Sequence, residues 1–351
     1  MRRTKVPARA GDEGTVLLST LLVMSLMSAV TLALLITLNS AVRKTGTHNA
    51  LSQLTLYSDG AKDFTQAQIA QFGNILPNQM MDIERAGPIV LPFENGSIRI
   101  QLTDGSHCLR LSGLVTENGD ANESNVRRFQ ALLDHLGLDT GQAVRLSDRI
   151  VDWMDRDENR RSKGAEDGPY LSRNTPHRTA NTVMQSISEL RAIDSMTEAL
   201  YQRLRPHVCL GETGASGGFN INMAGPENLP VLAALLGAEP AALTVAERLI
   251  SERPGGGYTA TSYDNSPAFE GIDLPDRPQS GSDLIVFEPQ RLLAEVIVQY
   301  GPLERVRVFA FEGLDGSPRL TYEDWGWASL QPDSLFLAER VISEDEETRR
   351  P

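Results

Sequence analysis

The stretch TVLLSTLLVMSLMSAVTLALLITLNSAV, from Thr15 to Val42, contains no charged residue. As a helix it would be roughly 40 Å long, enough to cross a hydrocarbon core of about 30 Å with some tilt. Basic residues flank it, more of them on the N-terminal side: Arg2, Arg3, Lys5 and Arg9 before it, Arg43 and Lys44 after it. Since the more basic flank stays in the cytoplasm, the pattern predicts a single membrane span with everything after Val42 on the far side.

Three kinds of N-terminal segment share this pattern: a cleaved secretory signal, a plain membrane anchor and a prepilin-type signal. A secretory signal has an apolar region of only about 7 to 15 residues, and this one is longer. A plain anchor stays open as an alternative. Gly14 favours the third, because it separates a short basic leader from the apolar run, and the stretch Gly-Asp-Glu-Gly-Thr-Val-Leu-Leu at 11–18 resembles class III prepilin signals. Cleavage after Gly14 by a prepilin peptidase would leave Thr15, a candidate for methylation, as the mature N-terminus.

Composition narrows the class of protein. The chain has 351 residues, of which 40% are hydrophobic, so it is long enough for two folded domains. Its net charge of -13 argues against binding to nucleic acid, which needs a basic surface. Histidines are scattered without zinc-binding spacing, and the Gly-rich stretch 211–218 lacks the ending of a phosphate-binding loop. The sequence therefore predicts neither an enzyme nor a nucleic-acid partner.

The order of local patterns predicts an α+β fold. Helical spacing continues from Thr45 to about Ala86, and short alternating runs follow. Helical periodicity returns between Asn122 and Tyr201 and again up to Glu252, before strand patterns resume near Leu284. The predicted strands are Ile89–Phe93, Ser97–Leu102, Cys108–Val115, Leu292–Tyr300, Val306–Phe311 and Arg319–Trp325. The pattern therefore predicts a long N-terminal helix on an antiparallel sheet, with a mostly helical block inserted between its early and late strands.

Several motifs resemble one family over nearly the whole chain. They are Val-Asp-Trp-Met-Asp-Arg-Asp at 151–157, Gly-Ala-Glu-Asp-Gly-Pro-Tyr-Leu at 164–171, Pro-His-Arg-Thr-Ala-Asn at 176–181, Ser-Glu-Leu-Arg at 188–191 and Phe-Asn-Ile-Asn-Met-Ala at 219–224. With the N-terminal signal, they resemble the K-type minor pseudopilin of bacterial type II secretion systems (general secretion pathway protein K). Most pilins carry a glutamate at the fifth mature residue, here Ser19, and its lack also resembles the K-type.

The resemblance implies a pilin-like fold with a large helical insertion, and a role at the tip of a periplasmic pseudopilus. It implies the I-type and J-type minor pseudopilins and the prepilin peptidase as partners, and an inner-membrane protein with its C-terminal domain in the periplasm. The alternative function is a minor pilin of a type IV pilus, or a plain single-pass envelope protein with a periplasmic ligand-binding domain. The predicted segments are a leader (1–14), a membrane and filament-core helix (15–43), a first pilin-like part (44–120), a helical insertion (121–280), a second pilin-like part (281–335) and a charged tail (336–351).

The acidic stretch 152–167 carries the strongest local pattern. Asp155, Asp157, Asn159 and Glu166 stand at offsets 1, 3, 5 and 12, as oxygen ligands do in a calcium-binding loop. Arg160 replaces the glycine expected at offset 6, so a solvated charged turn is the alternative. Since K-type pseudopilins bind calcium in their helical domain, the resemblance favours a Ca²⁺ site of one or two ions. Its predicted ligands are Asp155, Asp157, Asn159, Glu166 and Asp167, with Asp264, Asn265 and Asp273 as a second candidate set.

The chain contains two cysteines, Cys108 and Cys209. An even number in an exported, oxidised domain predicts a disulfide between them, although two separate buried thiols would fit the sequence as well.

Overall fold

The computed structural model describes residues 13–72, 77–211, 217–314, 317–332 and 334–340. The predicted leader therefore lies outside the described residues up to position 12, as does the charged tail from position 341. The chain divides into two compact units, Met1–Leu56 and Tyr57–Pro351. We call the second the head.

The chain begins with two helices and a β-hairpin, continues through a mostly helical block and ends with a second group of strands. The helices are α1 (Glu13–Phe72), α2 (Pro77–Ala86), α3 (Glu123–His135), α4 (Thr140–Met154), α5 (Asp167–Leu171), α6 (Glu198–Leu204), α7 (Leu229–Leu236), α8 (Ala241–Ser251) and α9 (Ala260–Asp264). The strands are β1 (Ile89–Phe93), β2 (Gly96–Asp104), β3 (Leu109–Arg110), β4 (Val208–Cys209), β5 (Phe219–Asn220), β6 (Ile285–Val286), β7 (Arg291–Tyr300), β8 (Leu303–Glu312) and β9 (Arg319–Trp325).

The N-terminal part of α1 is apolar and exposed. Large apolar side chains from Val16 to Val42 face outward within the first unit. Among the described residues, α1 is the one helix that is long and apolar enough to cross a membrane, with a peak mean hydropathy of 2.4. Several hydroxyl groups of its apolar part donate to carbonyls of the same helix; the Ser19 Oγ, for example, donates to the carbonyl of Val16 at 2.9 Å. A helix with its polar groups satisfied internally suits a hydrocarbon environment.

The head is built on a five-stranded antiparallel sheet in the order β1-β2-β7-β8-β9. The C-terminal end of α1 covers one face: Gln66 donates to the carbonyl of Pro318 at 2.7 Å, and Arg307 on β8 pairs with Asp59 at 2.6 Å. On the other face, an apolar cluster joins the sheet to the segment after β9: Leu293, Ile297, Val306, Val308, Ala310, Leu330 and Phe336. The predicted α+β, pilin-like fold is confirmed.

The helical block enters between two neighbouring strands. β2 and β7 pair in register from Gly96↔Tyr300 to Asp104↔Leu292, and residues 105–290 form the connection between them. Within this connection α7 is buried along its length from Val231 to Leu236 and packs against α3 and α8. Because α7 carries no charged residue, it can serve as the centre of a helical core.

Two local predictions were wrong in detail. Cys108–Val115 is not a strand of the main sheet: its one strand, β3, pairs with β4 in parallel, and Leu111–Leu114 form a 3₁₀ turn with all four residues buried. The apolar positions Ile187, Leu190 and Ile193 do not mark an α-helix either. Their spacing of three suits the 3₁₀ turn Ile187–Ala192 that is present, and Ser195, with φ of 72°, separates this turn from α6.

A buried amide joins the inserted block to the sheet. The Nδ2 of Asn220 on β5 donates to Asp104 Oδ2 at the end of β2, at 2.6 Å, and both residues are buried. We expect Asn220→Ala to lower the free energy of unfolding of the head by about 1–3 kcal/mol, because a buried carboxylate oxygen loses its donor. Asn220→Asp should cost more, since it places two carboxylates in contact. Urea titrations at neutral pH followed by circular dichroism measure both variants, and wild-type stability in both would contradict the role of this bond.

Candidate functional site

The acidic loop begins where α4 ends. α4 starts with a capping box in which Asp139 accepts from the backbone of Gln142 at 2.9 Å. Its apolar face includes Ile150, Val151 and Met154, all buried. Asp155 is the C-terminal cap residue and is only 4% exposed, so the packing of α4 carries this carboxyl into the protein.

Two carboxylate oxygens of the loop are buried without a donor. Among the described residues, neither Asp155 Oδ1 nor Glu166 Oε1 has a hydrogen-bond partner. Burial, followed by the negative charges of Asp152 and Asp157, raises the pKa of both Asp155 and Glu166 to about 7. Carboxyls that are buried, orphaned and mutually repelling are stabilised by a proton or by a cation.

The other predicted ligands lie around these two. Asp157 is exposed, and its Oδ1 accepts from the backbone of Asn159 at 2.6 Å. Asp167 begins α5, and its Oδ1 accepts from the backbone of Thr179 at 3.0 Å. The charge of Asp157 acts on both orphaned carboxyls, and that of Asp167 acts on Glu166. The structure thus gathers Asp157 and Asp167 around the buried pair, while Asn159 is tied to Asp157 through its backbone.

Sequence reasoning missed Asp152, one turn before Asp155 on α4. Its side chain is buried, and both oxygens lie 3.2 Å from the backbone nitrogen of Arg161. Burial is the main cause that raises its pKa to about 6. The spacing of three between Asp152 and Asp155 was the available signal, since it places both carboxyls on one side of a helix.

The second acidic set is differently placed. Asp264 accepts from the backbone of Ser280 at 3.0 Å and from the Ser280 hydroxyl, which lowers its pKa. The amide of Asn265 donates to the carbonyl of Thr261 at 2.8 Å. Asp264 and Asn265 therefore have partners within the loop, and for Asp273 the structure records no contact with either of them.

All the donors of the first loop are oxygens with net negative charge, which suits a hard cation such as Ca²⁺. Within the described ranges, no group of three or more His, Cys, Asp or Glu side chains is arranged so that it could hold a metal ion. Asp155 and Glu166 could supply two ligands, so main-chain carbonyls and rearranged neighbouring side chains would have to complete the shell. The type of donor therefore fits Ca²⁺, and the remainder of the coordination shell is not assembled.

The predicted disulfide is confirmed. Cys108 and Cys209 are bonded, with their Cα atoms 5.7 Å apart and a separation of 101 positions in sequence. The bond lies beside the β3–β4 pair, in which Arg110 is opposite Cys209. It therefore links the segment that leaves β2 to β4, near the middle of the inserted connection in sequence.

The predicted processing site lies at the start of α1. Gly14 and Thr15 fall within its first turn, while the basic residues of the leader lie outside the described residues. Cleavage after Gly14 stays a prediction.

Comparisons with known proteins decide the family. A sequence profile described as "Type II secretion system (T2SS), protein K" matches residues 107–212. Type II secretion system protein K of Pectobacterium carotovorum subsp. carotovorum is 30% identical over 263 residues, which cover 72% of this chain and 78% of that protein. The chain belongs to the type II secretion system protein K family.

Other relatives agree with this assignment. The protein K of Aeromonas hydrophila is 31% identical over 264 residues, covering 72% of this chain and 79% of that protein. The crystal structure of the GspK-GspI-GspJ complex from the enterotoxigenic Escherichia coli type 2 secretion system contains a similar fold, with a TM-score of 0.67 and 20% identity over 81% of this chain and 99% of that chain. As a member of the protein K family the chain is a minor pseudopilin of type II secretion anchored by an apolar helix. The type IV pilin and ligand-binding alternatives are not favoured.

Proposed function

We propose that this protein caps the tip of the periplasmic pseudopilus and thereby supports the export of folded proteins. The observation that carries the proposal is the large block inserted between two paired strands, β2 and β7, of a pilin-like sheet. A block of this size on every subunit would hinder the repeated stacking by which a filament grows. A terminal subunit has to contact other subunits on one side only, so the block does not hinder it. No catalytic turnover is part of this function.

The N-terminal helix supports a terminal position by its chemistry. Filament-forming pilins place a carboxylate near the mature N-terminus, where it pairs with the amine of a neighbouring subunit. Here Ser19 stands at that position and its hydroxyl is satisfied by its own helix. A buried charge is costly unless it is paired, so a subunit without this glutamate needs no neighbour at that point.

The proposed partners are the I-type and J-type minor pseudopilins, which accompany protein K in the solved complex. The proposed topology is a cytoplasmic N-terminus, one span of the inner membrane and a periplasmic head. Co-purification of the full-length protein with epitope-tagged I-type and J-type subunits, extracted together from membranes, tests the assembly. Recovery of protein K alone under conditions that keep the other two together would contradict a tip complex.

Leader removal is a direct test of the pilin route. We expect mass spectrometry of the membrane-extracted protein to find a chain that begins at Thr15, because a prepilin peptidase cuts after Gly14 and leaves the apolar helix in place. Gly14→Val should block cleavage and abolish secretion, whereas Gly11→Val, three residues earlier in the same leader, should leave both unchanged. A mature chain that begins at Met1 would support a plain anchor, and one that begins after Val42 would overturn the assignment.

We also propose that Asp155, Asp157, Asn159, Glu166 and Asp167 bind Ca²⁺ with the help of main-chain carbonyls. Bound Ca²⁺ would supply positive charge to carboxyls that otherwise repel one another. The support for this proposal is the pair of orphaned buried oxygens on Asp155 and Glu166. The set of Asp264, Asn265 and Asp273 is proposed as a weaker second site, and Asp264 would have to exchange its bond to Ser280 for the ion.

The raised pKa values of Asp155 and Glu166, both about 7, predict how pH affects the calcium-free protein. A carboxyl whose pKa is raised on folding favours the folded state below its unfolded pKa, and this contribution is lost as pH rises through the folded value. We therefore expect the melting temperature in EDTA to be higher near about pH 5.5 than near about pH 8. The double variant Asp155→Asn, Glu166→Gln should reduce this difference, and an unchanged difference would assign the effect to other groups.

A further inference from the structure

One residue ties the middle of the acidic loop to two helices. The Nε of Arg161 donates to Asp148 on α4 at 2.9 Å, and its two terminal nitrogens donate to the two oxygens of Glu123, at the start of α3, at 2.7 and 3.1 Å. Its backbone N–H also faces the carboxylate of Asp152. Five donors in a fixed planar fork allow an arginine, unlike a lysine, to hold two carboxylates in a defined geometry.

The backbone beside Arg161 is held in the same way. The backbone N–H of Lys163 donates to the second oxygen of Asp148 at 3.0 Å. At Gly164 a Cβ would lie 1.9 Å from Asp152 Oδ2, so the chain passes directly against α4 here and any larger residue would have to displace the Asp152 carboxylate. Contacts with Asp148 and Asp152 therefore fix the course of the loop towards Glu166. Neither residue belongs to the proposed ligand set.

Arg161 could affect a cation in two opposite ways. As a positive charge near Asp155 and Glu166 it would compete with Ca²⁺, and its removal would strengthen binding. As the residue that holds the loop it would keep Asp155 and Glu166 facing one another, and its removal would weaken binding. Its side-chain hydrogen bonds favour the second role, because they go to Glu123 and Asp148, which balance its charge.

We propose that Arg161 is a positioning residue that holds the loop 155–166 in the geometry required for Ca²⁺ binding. This inference rests on the proposed calcium function of the same loop. Arg161 does not contact the ion; it acts through the bonds to Glu123 and Asp148. Outer groups that orient metal ligands contribute about 10- to 100-fold to metal affinity in other proteins, and we expect a change of that size here.

The test is the dissociation constant of Ca²⁺ measured by isothermal titration calorimetry with CaCl₂ on the full-length protein in detergent. Arg161→Lys keeps the charge and loses the fork, while Arg161→Gln loses both. Both variants are expected to bind Ca²⁺ about 10- to 100-fold more weakly than wild type. Tighter binding by Arg161→Gln would show that the residue only competes with the ion. Wild-type affinity in both variants would show that the bonds from Arg161 to Glu123 and Asp148 do not affect Ca²⁺ binding. Either result overturns the inference.

Arg160→Gln is the matched control. Arg160 is exposed, carries the same charge one residue away and makes no hydrogen bond or ion pair with the described part of the chain, so its loss should leave the affinity within about threefold of wild type. If the Arg161 variants do not fold in EDTA, Glu123→Gln removes one charge from the same ion pair at a side chain that is 59% exposed, and weaker binding is again expected.

A wild-type protein that binds no Ca²⁺ would overturn the proposed metal function itself. Normal wild-type binding with unaffected variants would overturn only the role of Arg161.

Discussion

Replacing Cys108 and Cys209 together by serine is expected to lower the free energy of unfolding of the head by about 2–5 kcal/mol, the range found when a native disulfide is removed. The bonded cysteines are 101 positions apart in sequence, so loss of the bond releases a large loop in the unfolded chain. Because the bond joins the β3–β4 pair at the base of the inserted block, we expect that block to lose its attachment first. Urea unfolding in detergent, followed by circular dichroism, measures the change.

Reduction of the wild-type protein provides the control for this prediction. Dithiothreitol should bring the wild type to the midpoint of the serine double variant and leave the variant itself unchanged. Equal midpoints for the oxidised wild type and the variant would mean that the bond does not stabilise the folded head. In cells, we expect the double variant to lower the amount of protein K and, with it, secretion.

The sheet could be predicted from sequence because its signals are local. Short β-like runs identified β1 over Ile89–Phe93 and β9 over Arg319–Trp325, both at their observed ends. Periodicity also identified α3 and α4, whose buried faces repeat every three to four residues. These elements are amphipathic, so each residue's position in the pattern reports which side of the element is buried.

Prediction from the sequence failed in segments where the buried residues do not recur at the spacing of a helix or a strand. Leu111–Leu114 are all buried in a 3₁₀ turn, and a short segment that is buried at every position shows no period from which a strand, a helix and a turn could be told apart. Hydrogen bonds that depend on distant segments were equally out of reach. The bond from Asn220 to Asp104 joins residues 116 positions apart, and nothing in the local sequence around either residue indicates which residue it contacts.

The candidate site was half predictable for the same reason. The offsets of Asp155 and Glu166 follow a known ligand pattern, so the spacing marked these two carboxyls as candidates, and the family resemblance then favoured a metal site over a solvated turn. The fork from Arg161 to Glu123 and Asp148 was not, because it depends on how α3 packs beside α4. At offset 6, where a glycine was expected, the exposed Arg160 leaves the turn without one, and the adjacent Arg161 holds the loop instead.

Calcium is expected to stabilise the head by about 2.7 kcal/mol when its free concentration is 100 times the dissociation constant, because the ion binds the folded state. The effect should be lost in Asp155→Asn, which removes a carboxylate that we propose as a ligand. The same variant should be more stable than wild type in EDTA, since it also removes a buried carboxyl that repels Asp157 and Glu166. This opposite response in the presence and absence of calcium separates a ligand from a residue that is merely important for folding.

Differential scanning calorimetry of the full-length protein in detergent, in EDTA and in CaCl₂, measures both effects. Asp139→Asn is the matched control, because Asp139 caps α4 through the backbone of Gln142, lies in neither proposed ligand set and should change the melting temperature equally in both buffers. A reduced calcium response in Asp264→Asn would show that the second acidic loop also binds the ion. If the wild type melts at the same temperature in EDTA and in CaCl₂, protons alone neutralise the carboxyls of Asp155 and Glu166. The rigidity of the loop at the pseudopilus tip would then have to come from Arg161 and its two carboxylate partners.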